Sequence, residues 1–323
     1  MRRLLQTLAP AVHLTRLTTA FAASGNAGVV VLWMRAETSE VPGFGAGLPG
    51  WVLLAAGSLA VLGLYTFGAA LNDLLDAHRD RALRLDRPLA TGQSTGERYA
   101  VTVAAALIGA GIGAAAFGAA SVVALLVVAG LILLLHAGGR FVPGAGLVLI
   151  SLIYAGHMLA LAPGLEFLAP VWLVMTHATV VSAAAHLLAR RGPPLTKRGV
   201  SAATIGWLGC TIALGVLSRE RVGGLWPATI PVEAALWPGV AALVYIALAV
   251  RRVRALGAGP RAADKVARYG ALWLPVYGAS WLLGAGHHRE AMLLGGYAVA
   301  GFLGMSVLRE AIGLVREPLG YRR

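Results

Sequence analysis

The sequence predicts an all-α, polytopic bundle of nine to ten transmembrane helices. Of its 323 residues 58% are hydrophobic, and the mean hydropathy is +0.75. Only 13% of the residues are charged, whereas a soluble domain carries roughly 25%. The apolar residues are also grouped into long runs, which is the pattern of a chain that crosses a membrane repeatedly.

Each predicted helix is one of these apolar runs. A helix needs about 17–25 predominantly apolar residues to cross the hydrocarbon core. Ten runs qualify in chain order: 14–34, 51–71, 99–118, 121–137, 145–163, 170–189, 201–217, 232–250, 268–285 and 291–313. Run 121–137 is short and run 268–285 contains Pro275, which sets the range of nine to ten. We expect one transmembrane domain over 1–323, with cytoplasmic cap loops near 72–98, 136–144 and 189–200.

The basic residues predict the orientation of the bundle. There are 27 Lys and Arg against 14 Asp and Glu, a formal charge of +13. If the amino terminus is cytoplasmic, ten crossings leave only Arg35, Arg219, Arg221 and Arg289 on the outer side, as the positive-inside rule expects. The chain has no basic stripe interleaved with aromatic residues, so nucleic acid is not a predicted partner. We expect an integral protein of the cytoplasmic (inner) membrane, in contact with the lipid bilayer and with both termini cytoplasmic.

The acidic residues are concentrated after the second run. Three Asp lie at the spacing i, i+3 and i+7, which places them on one helix face: Asp73, Asp76 and Asp80. Neighbouring carboxylates repel each other unless a cation lies between them, and Mg²⁺ bridges carboxylates to phosphates. Asn72 adds an amide oxygen at the same place. The alternative interpretation is a solvated helix end in which Arg79 and Arg81 pair with the carboxylates.

These residues form a recognisable motif. The string Asn72-Asp73-x-x-Asp76-x-x-x-Asp80, followed by Arg87-Pro88-x-x-x-Gly92, resembles the first signature of the UbiA superfamily of membrane prenyltransferases. Arg16 and Asn26 lie in the first run, where that family has polar pocket residues. The segment 136–143, which contains Arg140, resembles the family's Tyr-x-x-x-Lys-Arg loop.

The resemblance implies a function and a site. It implies transfer of an isoprenyl group from an isoprenyl diphosphate donor to a lipophilic acceptor, with Mg²⁺ as cofactor. The catalytic and metal-binding residues carried over from the motif are Asn72, Asp73, Asp76 and Asp80. The substrate-binding residues implied are Asn72, Arg87 and Arg140, with Asn26 and Arg16 in the pocket. His186, Lys197 and Arg198 lie at the cytoplasmic end of the sixth run, where we expect contact with phosphate.

The second Asp-rich motif of the family has no counterpart here. It would follow the sixth run, yet the chain has no Asp or Glu between Glu166 and Glu220. His177 and His186 are nine residues apart, about 180° around a helix, so they are not predicted to share a metal. We expect His177 to bond to a neighbouring helix.

Three functions remain open from the sequence. The first is the prenyltransferase. The second is a non-catalytic or altered UbiA-like protein that binds prenyl lipids and supports secondary-metabolite export, because the missing motif and the last helix resemble the UbiA-like proteins of Ebo clusters. The third is an unrelated transporter, which needs ionisable residues inside its helices. The chain offers few of these: Glu233, His157 and His177.

Overall fold

The computed structural model describes residues 14–37, 47–82, 89–92, 94–190 and 192–316, with side chains described from 19 to 308. These ranges contain ten long α-helices, two short 3₁₀ helices at Gly139–Phe141 and Val232–Ala235, and no strand. The α-helices are α1 Leu14–Glu37, α2 Gly50–Ala82, α3 Gly96–Ala115, α4 Ala119–Ala137, α5 Pro143–Leu161, α6 Ala169–Ala189, α7 Lys197–Val222, α8 Leu236–Leu256, α9 Pro260–Gly284 and α10 His288–Arg316. The predicted all-α bundle is confirmed.

Eight of the ten helices are long and apolar enough to cross a membrane. The short run at 121–137 became α4, whose hydropathy of 2.6 is the highest of the eight. The other two helices are α1 and α9. Helix α9 begins with charged residues, including the ion pair of Arg268 with Asp264, and many of its later residues are buried against other helices. A helix that faces protein has less need of an apolar surface than one that faces lipid.

The predicted cap loops are shorter than expected. Helix α2 runs on to Ala82, so the cap segment predicted near 72–98 begins as helix, as the spacing of the aspartates indicated. Leu74, Leu75 and Ala77 are good helix formers, and no Gly or Pro interrupts them. The segment 136–144 holds the end of α4, a 3₁₀ turn and the start of α5. The last loop ends at Thr196, whose side chain accepts a hydrogen bond from the Gly199 amide and caps α7.

Small residues bring α2 and α3 into close contact. A Cβ atom added to Gly63 would lie 2.7 Å from the Ala106 carbonyl oxygen, and one added to Gly113 would lie 2.5 Å from that of Ala56. Only glycine allows backbones this close, and close packing replaces the hydrophobic force that is missing between helices in lipid. This contact fixes the position of α2, which carries the Asp-rich motif.

Contacts between distant segments define the two ends of the bundle. At one end Arg140, between α4 and α5, reaches Asp76 on α2. At the other end His287 pairs with Glu37, Nε2 to Oε1 2.6 Å, and Arg221 donates to the Pro163 and Leu165 carbonyls. The sequence-predicted site residues with described side chains, apart from Asn26, lie near the Arg140 end.

Candidate functional site

The extension of α2 carries the three aspartates on one buried face. Asp73, Asp76 and Asp80 are 4%, 7% and 4% exposed, although they belong to a polar stretch of sequence. The i, i+3, i+7 spacing accounts for this arrangement, because it directs all three side chains toward the bundle. The alternative of a solvated helix end is therefore wrong.

Asp76 is held by a guanidinium. Arg140 Nη2 donates to Asp76 Oδ1 at 2.5 Å and Nη1 donates to Oδ2 at 2.7 Å, while Nη1 also reaches the Asn72 amide oxygen at 2.5 Å. Such a two-pronged contact is the strong form of an ion pair. The partner of Asp76 is thus Arg140, 64 residues away in sequence, and neither Arg79 nor Arg81. The Nε–H of Arg140 is buried and has no acceptor among the described residues.

Two of the four predicted magnesium ligands are already engaged by a guanidinium. Mg²⁺ requires oxygens that are free to coordinate it. Both carboxylate oxygens of Asp76 and the amide oxygen of Asn72 accept from Arg140 instead. Across the described ranges no three His, Cys, Asp or Glu side chains converge as a metal site would need, and Glu97 at the start of α3 is exposed. Asn72 and Asp76, two of the predicted ligands, thus hold an organic cation.

A cavity of about 540 Å³, which we call the Arg140 cavity, opens beside this contact. Helices α1, α2, α4, α5, α6 and α9 contribute to its wall, together with the α4–α5 and α6–α7 connections. Its polar lining residues are Thr19, Arg79, Arg140, Tyr154, His177, Ser182 and His186. No carboxylate is among the described residues that line it, so the wall is complementary to an anion.

Helix α6 forms the wall where the second Asp-rich motif was expected. It presents Ala178, Val181, Ser182 and Ala185 to the cavity. None of these is a good ligand for a hard cation. Because α6 contains no acidic residue, the side of the cavity that it forms carries no negative charge.

The two histidines of α6 have different hydrogen-bond partners. His177 is buried, as predicted, and bonds to α9: its Nε2 lies 3.0 Å from the Gly270 carbonyl oxygen, and its Nδ1 lies 3.1 Å from the Tyr277 hydroxyl. A carbonyl only accepts, so Nε2 donates and Nδ1 accepts. His186 donates from Nε2 to the Pro193 carbonyl at 3.0 Å. Both rings line the Arg140 cavity, because half the circumference of α6 faces it.

A second cavity of about 380 Å³, the Asn72 cavity, adjoins the first. The two share Thr19, Leu135, Ile150 and Tyr154 as lining residues. The other lining residues of the Asn72 cavity are mostly apolar, and its polar exceptions include Asn72, His136 and His157. A cavity lined by cationic side chains thus lies next to a mostly apolar cavity.

The remaining predicted residues lie elsewhere. Lys197 and Arg198 are exposed at the start of α7 and line neither cavity. Asn26 is fully buried in α1, also outside both cavities, and its amide has no partner among the described residues. The Arg16 side chain and all of Arg87 lie outside the described residues, so their predicted roles stay predictions.

Sequence reasoning missed part of the lining. Thr19 and Tyr154 were not singled out, and no motif marks them. Helix α9 contributes Ala267, Gly270 and Leu274 from near the end of the chain. Arg79 lies within the Asp-rich motif, so the sequence drew attention to its position. That it lines the cavity depends on the packing of α2 against the other helices.

The overall architecture has a counterpart among solved structures. The solved structure of a digeranylgeranylglyceryl phosphate synthase from membranes is similar to this chain, with a TM-score of 0.51 and 13% sequence identity. The superposition covers 84% of this chain and 98% of the other. This chain therefore shares the all-helical fold of that synthase. No protein-family model and no curated protein sequence matches it. Within this fold the Asp-rich end of α2 and the Arg140 cavity lie in one bundle.

Proposed function

We propose that this protein is a UbiA-like membrane prenyltransferase, which transfers an isoprenyl group from an isoprenyl diphosphate to a lipophilic acceptor. The observation that carries the proposal is the arrangement of the two cavities. A cationic cavity that suits a diphosphate adjoins an apolar cavity that suits a hydrocarbon chain. The UbiA-type fold supports the same activity.

The reaction would break the bond between the allylic carbon and the diphosphate oxygen. The electron pair leaves with the diphosphate, whose added charge the guanidinium groups of Arg79 and Arg140 stabilise. The acceptor then supplies an electron pair to the allylic cation, and the proton that it loses passes to the diphosphate. The apolar lining of the Asn72 cavity excludes water, which would otherwise capture the cation.

A transfer assay tests this proposal. The purified protein, reconstituted in lipid vesicles, is incubated with radiolabelled geranyl, farnesyl or geranylgeranyl diphosphate, a membrane lipid extract as the source of acceptor, and Mg²⁺. We expect label in a new lipophilic product, and we expect Asp76→Asn to abolish its formation because the variant releases Arg140. Glu97→Gln is the matched control, since Glu97 is an exposed carboxylate of the next helix. Equal transfer by wild type and Asp76→Asn contradicts the proposed site.

One observation favours a second candidate, a protein that binds prenyl lipids without transferring them and supports secondary-metabolite export. Asp76 is engaged by Arg140 and the α6 wall has no carboxylate, so the metal cluster that the resemblance implies is incomplete among the described residues. If the labelled diphosphates bind but no product forms with any of the three donors, this candidate replaces the first.

A further inference from the structure

We propose that the Arg140 cavity binds a diphosphate headgroup directly through the guanidinium groups of Arg79 and Arg140, without a bridging metal ion. The inference deepens the proposed function, because it concerns the same site and specifies how the anion is held. It departs from the magnesium-dependent binding that the resemblance implies. Three features of the site carry it.

The first feature is the charge of the cavity wall. Two arginines and two histidines line it, and none of its described lining residues is acidic. A metal-bridged diphosphate site needs carboxylates on the protein side of the ion, since Mg²⁺ links one or two carboxylates to the phosphates. A wall without carboxylates attracts the anion itself.

The second feature is the hydrogen bonding of the Asp76 carboxylate. Its two oxygens are occupied by Arg140, so the carboxylate orients a guanidinium instead of coordinating an ion. Arg140 is thereby fixed at the edge of the cavity, and its buried Nε–H still lacks an acceptor among the described residues. A phosphate oxygen would satisfy this donor after a small shift of the Arg140 side chain, and a buried donor is costly to leave unpaired.

The third feature is Arg79, one helical turn from Asp76 on α2. It lines the same cavity, and its side chain is exposed. Guanidinium groups stay protonated throughout the physiological range and match phosphate oxygens in a two-pronged geometry. Arg79 and Arg140 together supply two such groups to one anion. The cavity of about 540 Å³ is ample for this headgroup, since small-molecule sites span about 300–1,000 Å³.

Binding measurements in the presence and absence of metal test the inference. Full-length protein in detergent is titrated with farnesyl diphosphate and, separately, with inorganic diphosphate, each in EDTA and each in Mg²⁺. We expect both probes to bind in EDTA, with farnesyl diphosphate the tighter because its chain enters the Asn72 cavity. Arg79→Gln should weaken binding about tenfold, the effect of losing one charge-assisted contact of roughly 1.4 kcal/mol. Arg81→Gln, an exposed arginine of the same helix that lines neither cavity, should bind like wild type.

The outcomes separate this inference from the proposed function. Binding that appears only with Mg²⁺ overturns the inference and leaves the prenyltransferase intact. Equal affinities of Arg79→Gln and Arg81→Gln also overturn it. Binding in EDTA without transfer in the assay above supports the inference and removes the transferase. Failure of both probes to bind under either condition contradicts both.

Discussion

Arg140 and Asp76 illustrate how one residue pair determines the chemistry of the site. Their side chains are 22% and 10% exposed, and two short hydrogen bonds join them. A carboxylate in such surroundings needs a cation, and either a metal or a guanidinium satisfies it. Here the guanidinium comes from the short turn between α4 and α5, so the pair also connects that turn to α2.

The pair predicts a measurable coupling in stability. Arg140→Met leaves Asp76 without its partner and should lower the free energy of unfolding by about 2 kcal/mol, since bonds to charged groups contribute about 1.5–3 kcal/mol. Asp76→Leu should cost a similar amount, and the double variant should cost less than the sum of the two. Thermal unfolding in detergent, followed by tryptophan fluorescence, measures all three.

The partly exposed pair of Arg268 with Asp264 is the control for these three variants. These residues are four apart on α9, and Asp264 is 43% exposed, so water screens their attraction. Arg268→Gln should therefore change stability by no more than about 0.5 kcal/mol. Strict additivity of the Arg140 and Asp76 substitutions would show that the two side chains do not interact in solution.

At the scale of elements, the position of α2 depends on its contact with α3. The Asp-rich motif lies about a turn or two beyond the apolar part of α2, so contact with lipid does little to hold it in place. The glycines that let α2 and α3 touch therefore help to hold the motif against Arg140.

Adding one methyl group to α3 tests the importance of this contact. In Gly113→Ala the new Cβ would lie 2.5 Å from the Ala56 carbonyl oxygen, so the helices must separate. Overpacking of this kind costs about 1–3 kcal/mol, and we expect a lower Tm together with weaker farnesyl diphosphate binding. Gly111→Ala lies on the same helix with nothing within 4 Å of the added Cβ. That control should be neutral or more stable by about 0.5–1 kcal/mol. Matching Tm values for the two variants would contradict the close contact.

The helices could be predicted from the sequence, but their contacts could not. Continuous apolar runs gave ten segments close to the observed helices, because hydropathy reports directly on burial in lipid. The extension of α2 carries no hydropathy signal, and only the i, i+3, i+7 spacing of its aspartates indicated a helix there. The ion pair of Arg140 with Asp76 joins residues 64 apart, and the contribution of α9 to the cavity comes from near the chain end. Both depend on tertiary packing that one sequence does not encode locally.

At the scale of the whole molecule, the orientation in the membrane depends on every helix crossing. Helix α9 is the critical case, because it does not meet the length and composition criteria that eight other helices meet. If α9 lay on the membrane surface, its flanking segments would face the same compartment. The positive-inside count would then fail for the last part of the chain, since the basic residues from Arg309 onward would lose their predicted side.

Cysteine labelling decides whether α9 crosses. In a Cys210→Ser background, Ala258→Cys and His288→Cys each place one exposed thiol at an end of α9. In intact cells a membrane-impermeant maleimide should label position 288 and should label position 258 only after the membrane is permeabilised. The basis is the charge bias, which puts the arginines preceding residue 258 in the cytoplasm. Labelling of both positions from one side would mean that α9 does not cross. The reverse pattern would invert the bundle and place the Arg140 cavity on the outer face, away from a cytoplasmic supply of diphosphates.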